Sequence, residues 1–376
     1  RRAMDEAAVL PQDGRPGDDA DLAVDLILQD AYKSCYQRRL LSRLAAGSDH
    51  AGQAGPREGR ARLQAAFCID VRSEVYRRAL EKAGDGIETI GFAGFFGFPI
   101  EYVPLGQEQE QGRAQCPILL APRIRVRETV DGLAETEVEQ IAERRTLHRR
   151  AVAAWKSFKG SAVSCFAFVE AAGLLFGVRL VTDALGVTRP AARPGTAALG
   201  RDVAERLAPS IAAHERCGHA FGIPEDQRVD IAEGALRGMS LTTGFARLVA
   251  LCGHGGTTVN NPHAASLHCG ACGGNSGEAN ARTSAAVLND PLVREGLASR
   301  GIVVPDDTWF LGCLHDTTTD EVTIHDAHHV PASHAEDLAR LRGGLEQAVG
   351  IERNCARSQK VPKAMDWATC GRAIAR

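Results

Sequence analysis

Short apolar runs alternate with longer amphipathic segments along this 376-residue chain. An apolar run too short for a buried helix predicts a strand, because a strand covered on both faces needs no polar alternation. The predicted strands are 65–69, 87–92, 246–252, 309–314 and 322–324. Apolar residues that recur three or four positions apart predict helices. The predicted helices are 22–46, 73–82, 135–159, 226–239, 278–288 and 335–353.

Strands that alternate with helices predict an α/β fold with a largely parallel central sheet flanked by helices. The pattern also predicts three parts in the chain. Residues 1–60 form an N-terminal helical segment, which we expect to be the tail of a larger region. Residues 61–330 form the main domain, with a helical insertion near 135–240, and residues 331–376 form a C-terminal helical segment.

One apolar stretch, residues 161–181, approaches the length of a membrane span. Glu170 and Arg179 interrupt it, whereas a spanning helix needs about 20 predominantly apolar residues. We therefore predict a helix that is buried or that docks on a partner. The apolar contact residues of this predicted helix are Phe166, Phe168, Leu174 and Phe176.

The composition is that of an ordinary globular protein and excludes few classes of function. Hydrophobic residues make up 44% of the chain and charged residues 24%, with a formal net charge of -3. This charge gives no electrostatic footprint for nucleic acid, so we expect no nucleic-acid partner. Eleven cysteines in a sequence that opens without a secretion signal predict reduced thiols and metal ligands rather than disulfides. The expected compartment is the cytosol.

The side chains most able to act as metal ligands or catalytic groups lie at or just after the ends of two predicted strands. Cys68, Asp70 and Arg72 lie where the first strand passes into a helix. Residues two apart on an extended strand share a face, so the first two side chains can converge. His254 lies at the equivalent place after a later strand, and Cys269 follows in a glycine-rich loop. Ligands bind at the carboxyl ends of strands in open α/β sheets, so we expect these side chains to meet there.

Two thiolates, an imidazole and a carboxylate form a donor set that suits zinc. The predicted ligands are Cys68, Asp70, His254 and Cys269. Glycines around the last two let the backbone approach closely and adopt positive φ. The combination predicts a single zinc site of the catalytic type.

A structural zinc knuckle stays open as an alternative. Cys269 and Cys272 have Cys-x-x-Cys spacing, and Cys252 or His268 would complete such a site. His263 and His268 are either proton carriers or surface histidines. The knuckle predicts that Cys272 holds the metal.

Several of these segments resemble the DabA family of inorganic carbon transporter subunits. The resembling segments are FCIDVRSE at 67–74, TIGFAGFFG at 89–97, CGHG at 252–255 and HCGACGG at 268–274. Members of that family are much longer, so this sequence resembles a C-terminal portion. The family is itself similar to β-class carbonic anhydrases at its zinc site.

The resemblance implies a β-carbonic-anhydrase-like core in which Cys68, Asp70, His254 and Cys269 hold Zn²⁺. It also implies a catalytic pair, in which Asp70 leaves the metal to pair with Arg72 and opens a position for water. The implied function is hydration of CO2 to bicarbonate, as part of an energy-coupled inorganic carbon pump. The implied location is peripheral, on the cytoplasmic face of a bacterial inner membrane. The implied partner is a polytopic DabB-type subunit related to proton-translocating antiporters.

One departure separates this sequence from ordinary β-carbonic anhydrases. Those enzymes carry His-x-x-Cys, whereas fourteen residues lie between His254 and Cys269 here. The insertion favours the pump subunit over plain carbonic anhydrase membership. Two other functions stay open: an autonomous soluble β-type carbonic anhydrase and a structural zinc-binding interaction module.

Overall fold

A computed structural model gives the conformation of most of the chain. The described residues are 18–51, 60–107, 112–117, 119–122, 124–161, 164–185, 196, 198–216, 218–258 and 261–358. The chain forms two compact units, residues 1–60 and residues 61–376. In the first unit, helix α1 (Asp18–Ala51) contains the predicted helix and extends beyond it at both ends. The side chains described on α1 are exposed, including those of Leu26 and Leu40.

The second unit is built on a five-stranded sheet. Its strands are β1 (Leu63–Cys68), β2 (Ile87–Phe92), β9 (Leu248–Gly255), β10 (Trp309–Asp316) and β11 (Glu321–Ile324). They lie in the order β11-β10-β9-β1-β2. Every neighbouring pair is parallel except β10 with β11. The predicted α/β fold with a largely parallel sheet is therefore confirmed.

Two helices cover one face of this sheet. Helix α2 (Val71–Ala83) follows β1, and helix α9 (Ala335–Ser358) packs against it. Leu63, Ala65 and Phe67 of β1 share a buried cluster with apolar residues of both helices. Burying each large apolar side chain contributes roughly 1.5–3 kcal/mol, so this layer holds the first strand and its helix in place.

Three helices cover the opposite face. They are α6 (Glu225–Gly238), α7 (Glu278–Leu288) and α8 (Pro291–Ser299). Their small and branched residues join Ala66 and Leu251 of the sheet in the larger buried cluster. Because β1 and β9 are buried on both sides, their sequences are continuous apolar runs rather than alternating ones.

A second sheet was missed by the sequence analysis. It consists of β3 (Ile100–Val103), β4 (Arg113–Gln115), β5 (Ile124–Val130) and β6 (Leu207–Ser210), in the order β4-β3-β5-β6. A short hairpin, β7 (His214–Arg216) with β8 (His219–Phe221), lies after it in the chain. The predicted helical insertion thus also contains three short strands.

Charged residues hid this sheet from the hydrophobic pattern. In β5, Arg125, Arg127 and Glu128 lie among buried apolar residues, and each has an ion-pair partner. Arg125 pairs with Glu101 on β3 at 3.0 Å, and Glu128 pairs with Arg145 at 3.0 Å. Arg145 is 1% exposed, so the second pair is buried. An unpaired charge inside a sheet would be costly, whereas a charge with such a partner can be accommodated there.

The long helices of the insertion are α3 (Glu135–Gly160), α4 (Ser164–Ala184) and the short α5 (Arg201–Glu205). In α4, Phe168 packs on Trp155 of α3, with ring centroids 5.5 Å apart. Phe166 is 73% exposed, which disfavours the buried-helix alternative. Leu174 lies outside the side chains that the structure describes, and docking on a partner stays a prediction. Among the described helices, none combines the length and apolar character that crossing a membrane requires.

Asn280, on α7, ties the loop after β2 to the second sheet. Its side-chain amide nitrogen donates to the backbone oxygens of Phe95 at 3.2 Å, Phe98 at 2.7 Å and Gln115 at 3.0 Å. Asn280 is fully buried, so no solvent replaces these bonds. One side chain therefore fixes the loop after β2 against strand β4 of the second sheet.

Replacing Asn280 by alanine should lower the free energy of unfolding by about 1–3 kcal/mol, because buried carbonyls lose their donor. Urea unfolding measures this change. The exposed Ser299→Ala substitution is the control and should stay within about 0.5 kcal/mol of the wild type. Equal unfolding midpoints for Asn280→Ala and the wild type would show that this amide does not fix the loop after β2 to the second sheet.

Candidate metal centre

The central sheet brings three predicted ligands together at its carboxyl edge. Cys68 ends β1, and His254 lies at the end of β9, the strand that pairs with β1. Cys269 lies between two short 3₁₀ turns, 264–267 and 270–272. The two thiol sulfurs and one imidazole nitrogen lie within 4.8 Å of one another. All three residues are buried.

The geometry of these three residues fits a tetrahedral metal ion. The Sγ atoms of Cys68 and Cys269 are 3.8 Å apart. Two sulfurs bound at about 2.3 Å to one tetrahedral zinc are separated by about 3.8 Å. His254 has no solvent exposure, and neither ring nitrogen has a hydrogen-bond partner among the described residues. A buried polar atom without a partner is costly, and a bound metal would satisfy it.

Gly94, in the loop after β2, leaves the room that the two thiols occupy. A Cβ atom at this position would lie 2.5 Å from the Sγ of Cys269 and 2.9 Å from the Sγ of Cys68. Both separations are shorter than a carbon and a sulfur can tolerate. The sequence analysis used residues 89–97 only as a segment of resemblance, and the contribution of this loop to the site was missed.

Hydrogen bonds shape the loop that presents Cys269. Its backbone nitrogen donates to the oxygen of Asn275 at 3.0 Å, and its own oxygen accepts from Gly274 at 3.0 Å. A hydrogen bond between the thiols of Cys68 and Cys269 is the main cause that raises the pKa of Cys68. A hydrogen bond with Cys272 is the main cause that raises the pKa of Cys269 to about 12. A divalent cation would oppose both shifts by stabilising the thiolates.

Asp70 lies beside this cluster and is held by Arg72. Nε of Arg72 donates to Oδ1 at 2.7 Å, and Nη2 donates to Oδ2 at 2.9 Å. Oδ1 also caps helix α2 by accepting from the backbone nitrogen of Arg72 at 3.0 Å. These hydrogen bonds lower the pKa of Asp70 to about 2. The carboxylate is therefore ionised and bound in a two-point contact.

The second oxygen of Asp70 faces the cluster. Its Oδ2 lies 3.7 Å from Nε2 of His254, although the cluster of mutually close donor atoms does not include it. An oxygen and a nitrogen bound to one tetrahedral ion are about 3.4 Å apart. A small movement of this carboxylate would suffice to reach such an ion, while Oδ1 keeps its place at the helix cap.

His315 is a neighbour of the cluster that the sequence analysis missed. It lies opposite His254 in the β9–β10 register and is fully buried. Burial lowers the pKa of His315 to about 4. Its Nδ1 lies 3.3 Å from the hydroxyl oxygen of Ser73 on α2. The signal was present, because His315 directly follows a predicted strand, but the pattern does not say which strand is adjacent.

The predicted zinc knuckle is only partly assembled in the described structure, because Cys272 packs beside Cys269 but the remaining candidate ligands do not join them. Cys252 lies in the buried cluster on the α2 side of the sheet. Burial and a hydrogen bond with the thiol of Cys313 raise the pKa of Cys252. Cys272 and His268 lie outside the set of mutually close donor atoms. His263 is exposed. The described geometry favours the three-residue cluster over the knuckle.

Fold and site together define an α/β protein with a candidate metal centre at the carboxyl edge of a parallel sheet. The family profile described as "Probable inorganic carbon transporter subunit DabA" matches residues 5–375. The chain therefore belongs to the DabA family.

Curated relatives carry the same description. "Probable inorganic carbon transporter subunit DabA 2" of Bradyrhizobium sp. strain BTAi1 is 54% identical over 98% of this chain and 44% of the relative. "Probable inorganic carbon transporter subunit DabA 1" of Bradyrhizobium sp. strain ORS 278 is 56% identical over 94% and 41%. "Probable inorganic carbon transporter subunit DabA" of Roseiflexus sp. strain RS-1 is 53% identical over 88% and 39%. The chain spans about two fifths of the length of these relatives. No solved structure matches the chain.

The close approach at Gly94 generates a test of the centre. Gly94→Ala should push the two thiols apart and strongly reduce the metal bound per chain, while the fold is retained. Elemental analysis of the purified protein measures the metal, and circular dichroism checks the fold. Gly270→Ala is the matched control, because a Cβ there meets nothing within 4 Å. A folded Gly94→Ala protein that binds as much metal as the control would contradict the assignment.

Proposed function

We propose that this chain forms the zinc-containing part of an inorganic carbon transporter subunit and hydrates CO2 to bicarbonate. The observation that supports this most directly is the convergence of Cys68, His254 and Cys269 beside an ionised Asp70. Membership of the DabA family supports the link to inorganic carbon. The β-carbonic-anhydrase-like character of the core belongs to the same proposal.

Zinc is the metal that fits the donors best. Soft thiolates select zinc over calcium, magnesium and manganese, and imidazole suits zinc equally. Asp70 is the fourth ligand in this proposal. When bound, zinc supplies a Lewis acid that activates water for addition to CO2 near neutral pH.

Asp70 and Arg72 regulate access to the metal in this proposal. With Asp70 on the metal, four protein ligands close the site, as in structural zinc centres. Arg72 draws the carboxylate away in a two-point contact and so leaves one position free. Nη1 of Arg72 also donates to the oxygen of Leu267 at 3.2 Å, which holds the guanidinium over the loop before Cys269. Two thiolate ligands would reduce the positive charge of the bound ion. Its attraction for bicarbonate would then be weaker, which would favour release of the product.

In this proposal, the protein is a peripheral subunit that works at the cytoplasmic face of a bacterial inner membrane. Its partner in this proposal is a polytopic DabB-type subunit that couples the opening of the site to an ion gradient. Ile69 and Val71, on either side of Asp70, are 65% and 78% exposed. An apolar surface next to the catalytic pair suits contact with such a partner.

Metal content is the first test of this function. The wild-type protein should bind one zinc through two sulfurs, one nitrogen and one oxygen, as measured by X-ray absorption. Cys68→Ala and Cys269→Ala should each lose that zinc, whereas Cys272→Ala should keep most of it. A spectrum with four sulfur ligands, or loss of zinc in Cys272→Ala, would favour the structural knuckle.

Arg72→Lys separates the opening mechanism from metal binding. Lysine keeps the charge but cannot make the two-point contact, so Asp70 should stay longer on the metal. The variant should keep wild-type zinc content yet abolish inorganic carbon accumulation when it is placed in the full-length protein in cells. Uptake of labelled bicarbonate or CO2 measures the accumulation.

Arg78→Lys is the matched control for this experiment. Arg78 lies on the same helix, is 68% exposed and pairs with Glu74 away from the cluster. Carbon accumulation should be unchanged in this control. Normal accumulation in Arg72→Lys cells would show that the arginine is only a helix-start cation. Rapid CO2 hydration by the purified chain alone would favour an autonomous carbonic anhydrase.

A further inference from the structure

A second group of donor side chains lies in the same unit, built from Asp131, His328 and His329. One carboxylate oxygen and one nitrogen from each imidazole lie within 4.8 Å of one another. None of the three residues belongs to the cysteine-containing centre. We propose that they form a second metal site, specific for a divalent first-row transition ion held by two imidazoles and one carboxylate.

The backbone holds Asp131 in a fixed place. The residue follows β5 directly, and its backbone nitrogen donates to the oxygen of Arg206 at 2.8 Å. Its backbone oxygen accepts from Nε of Arg206 at 2.8 Å. With both backbone groups used, the carboxylate projects from a rigid strand end rather than from a mobile loop.

The two histidines are held by a different segment. They lie in a 3₁₀ turn (Ala327–His329) after β11, and the backbone nitrogen of His329 donates to the oxygen of Asp326 at 3.0 Å. Asp326 has a φ of 54°, a conformation in which aspartate is among the better tolerated residues. The two imidazole rings have centroids 4.1 Å apart and point to the same carboxylate.

Arg282 connects the two sides of the site. Its guanidinium binds both carboxylate oxygens of Asp326, at 2.6 and 2.9 Å, and is only 6% exposed. It also donates to the backbone oxygen of Leu207, the residue opposite Val130 in the β5–β6 register. One buried cation thus fixes both the histidine turn and the strand end that presents the carboxylate.

Distances at the site match a shared ion better than a simple ion pair. Oδ2 of Asp131 lies 3.3 Å from Nε2 of His329 and 3.7 Å from Nε2 of His328. A charge-assisted hydrogen bond would be about 2.7–2.9 Å long. This Oδ2 is buried and has no hydrogen-bond partner among the described residues. Ligand atoms around one tetrahedral ion are about 3.4 Å apart, which is close to both distances.

The donor set determines the class of ion. Two imidazoles with one carboxylate suit zinc, iron(II) and cobalt(II), whereas calcium and magnesium prefer oxygen ligands throughout. The histidine side chains are 44% and 49% exposed, so water can fill the remaining positions. An ion here would clamp the end of β5 to the turn after β11, and so join the two sheets. The proposal does not depend on CO2 hydration.

Cobalt(II) titration of the purified protein tests the second site, because cobalt bound to thiolates gives charge-transfer absorption and cobalt bound to nitrogen and oxygen does not. The wild type should bind two ions per chain. His328→Ala/His329→Ala should bind one and keep the thiolate absorption. Cys68→Ala/Cys269→Ala should lose that absorption and still bind one ion.

His148→Ala/His219→Ala is the matched control, since it removes two exposed histidines elsewhere and should still bind two ions. Asp131→Asn, which preserves shape, should lose the same ion as the histidine pair. Circular dichroism confirms that each variant is folded. Saturation of the wild type at one ion, with full thiolate absorption, would overturn the proposal. So would a folded His328→Ala/His329→Ala protein that binds two ions.

Discussion

The parallel pairing of β1 with β9 is the contact on which the rest of the structure depends. It joins segments nearly two hundred positions apart and sets Phe67 opposite Cys252, one step before the end of β1. A buried glutamine secures this register: Gln64 accepts from the backbone nitrogen of Ala246 at 2.8 Å and donates to the oxygen of Gly244 at 3.1 Å. A slip of one position would turn every side chain of the strand to the other face. Cys68 and His254 of the candidate metal centre would then no longer meet.

Hydrophobic pattern was sufficient to predict the central sheet, because β1, β9 and β10 are covered on both faces and their sequences are uninterrupted apolar runs. The same pattern located the cluster, since Cys68 and His254 end two such runs. It could not predict β5, whose charged residues are neutralised by partners on other elements. Nor could it show what Gly94 approaches. A glycine in a sequence does not reveal which atoms occupy the space where a side chain would otherwise lie. The second donor group was missed for a similar reason: Asp131 and the two histidines lie in turns, where no periodicity links them.

Asp70 is subject to three competing demands. It caps helix α2, it pairs with Arg72, and its Oδ2 atom faces His254 of the candidate metal centre. Losing a helix cap costs about 0.5–2 kcal/mol, so an arrangement that keeps Oδ1 on the cap while Oδ2 moves is energetically favoured. The bidentate contact lowers the pKa of this carboxyl and keeps it ionised while it is paired with Arg72, and a nearby cation would keep it ionised in the other position. In the proposed function, a movement of Asp70 that changes only one hydrogen bond would need little driving energy.

The four-stranded sheet supports the candidate metal centre as well as enlarging the fold. The side chain of Asn275, in the loop after Cys269, donates to the oxygen of Ala114 on β4 at 3.1 Å. Asn280 binds the oxygen of Gln115 on the same strand and, at the same time, the loop that carries Gly94. Strand β4 therefore contacts the Cys269 loop directly and is linked to the Gly94 loop through Asn280. The second sheet therefore helps to hold in place the two loops that approach the thiols of the candidate metal centre.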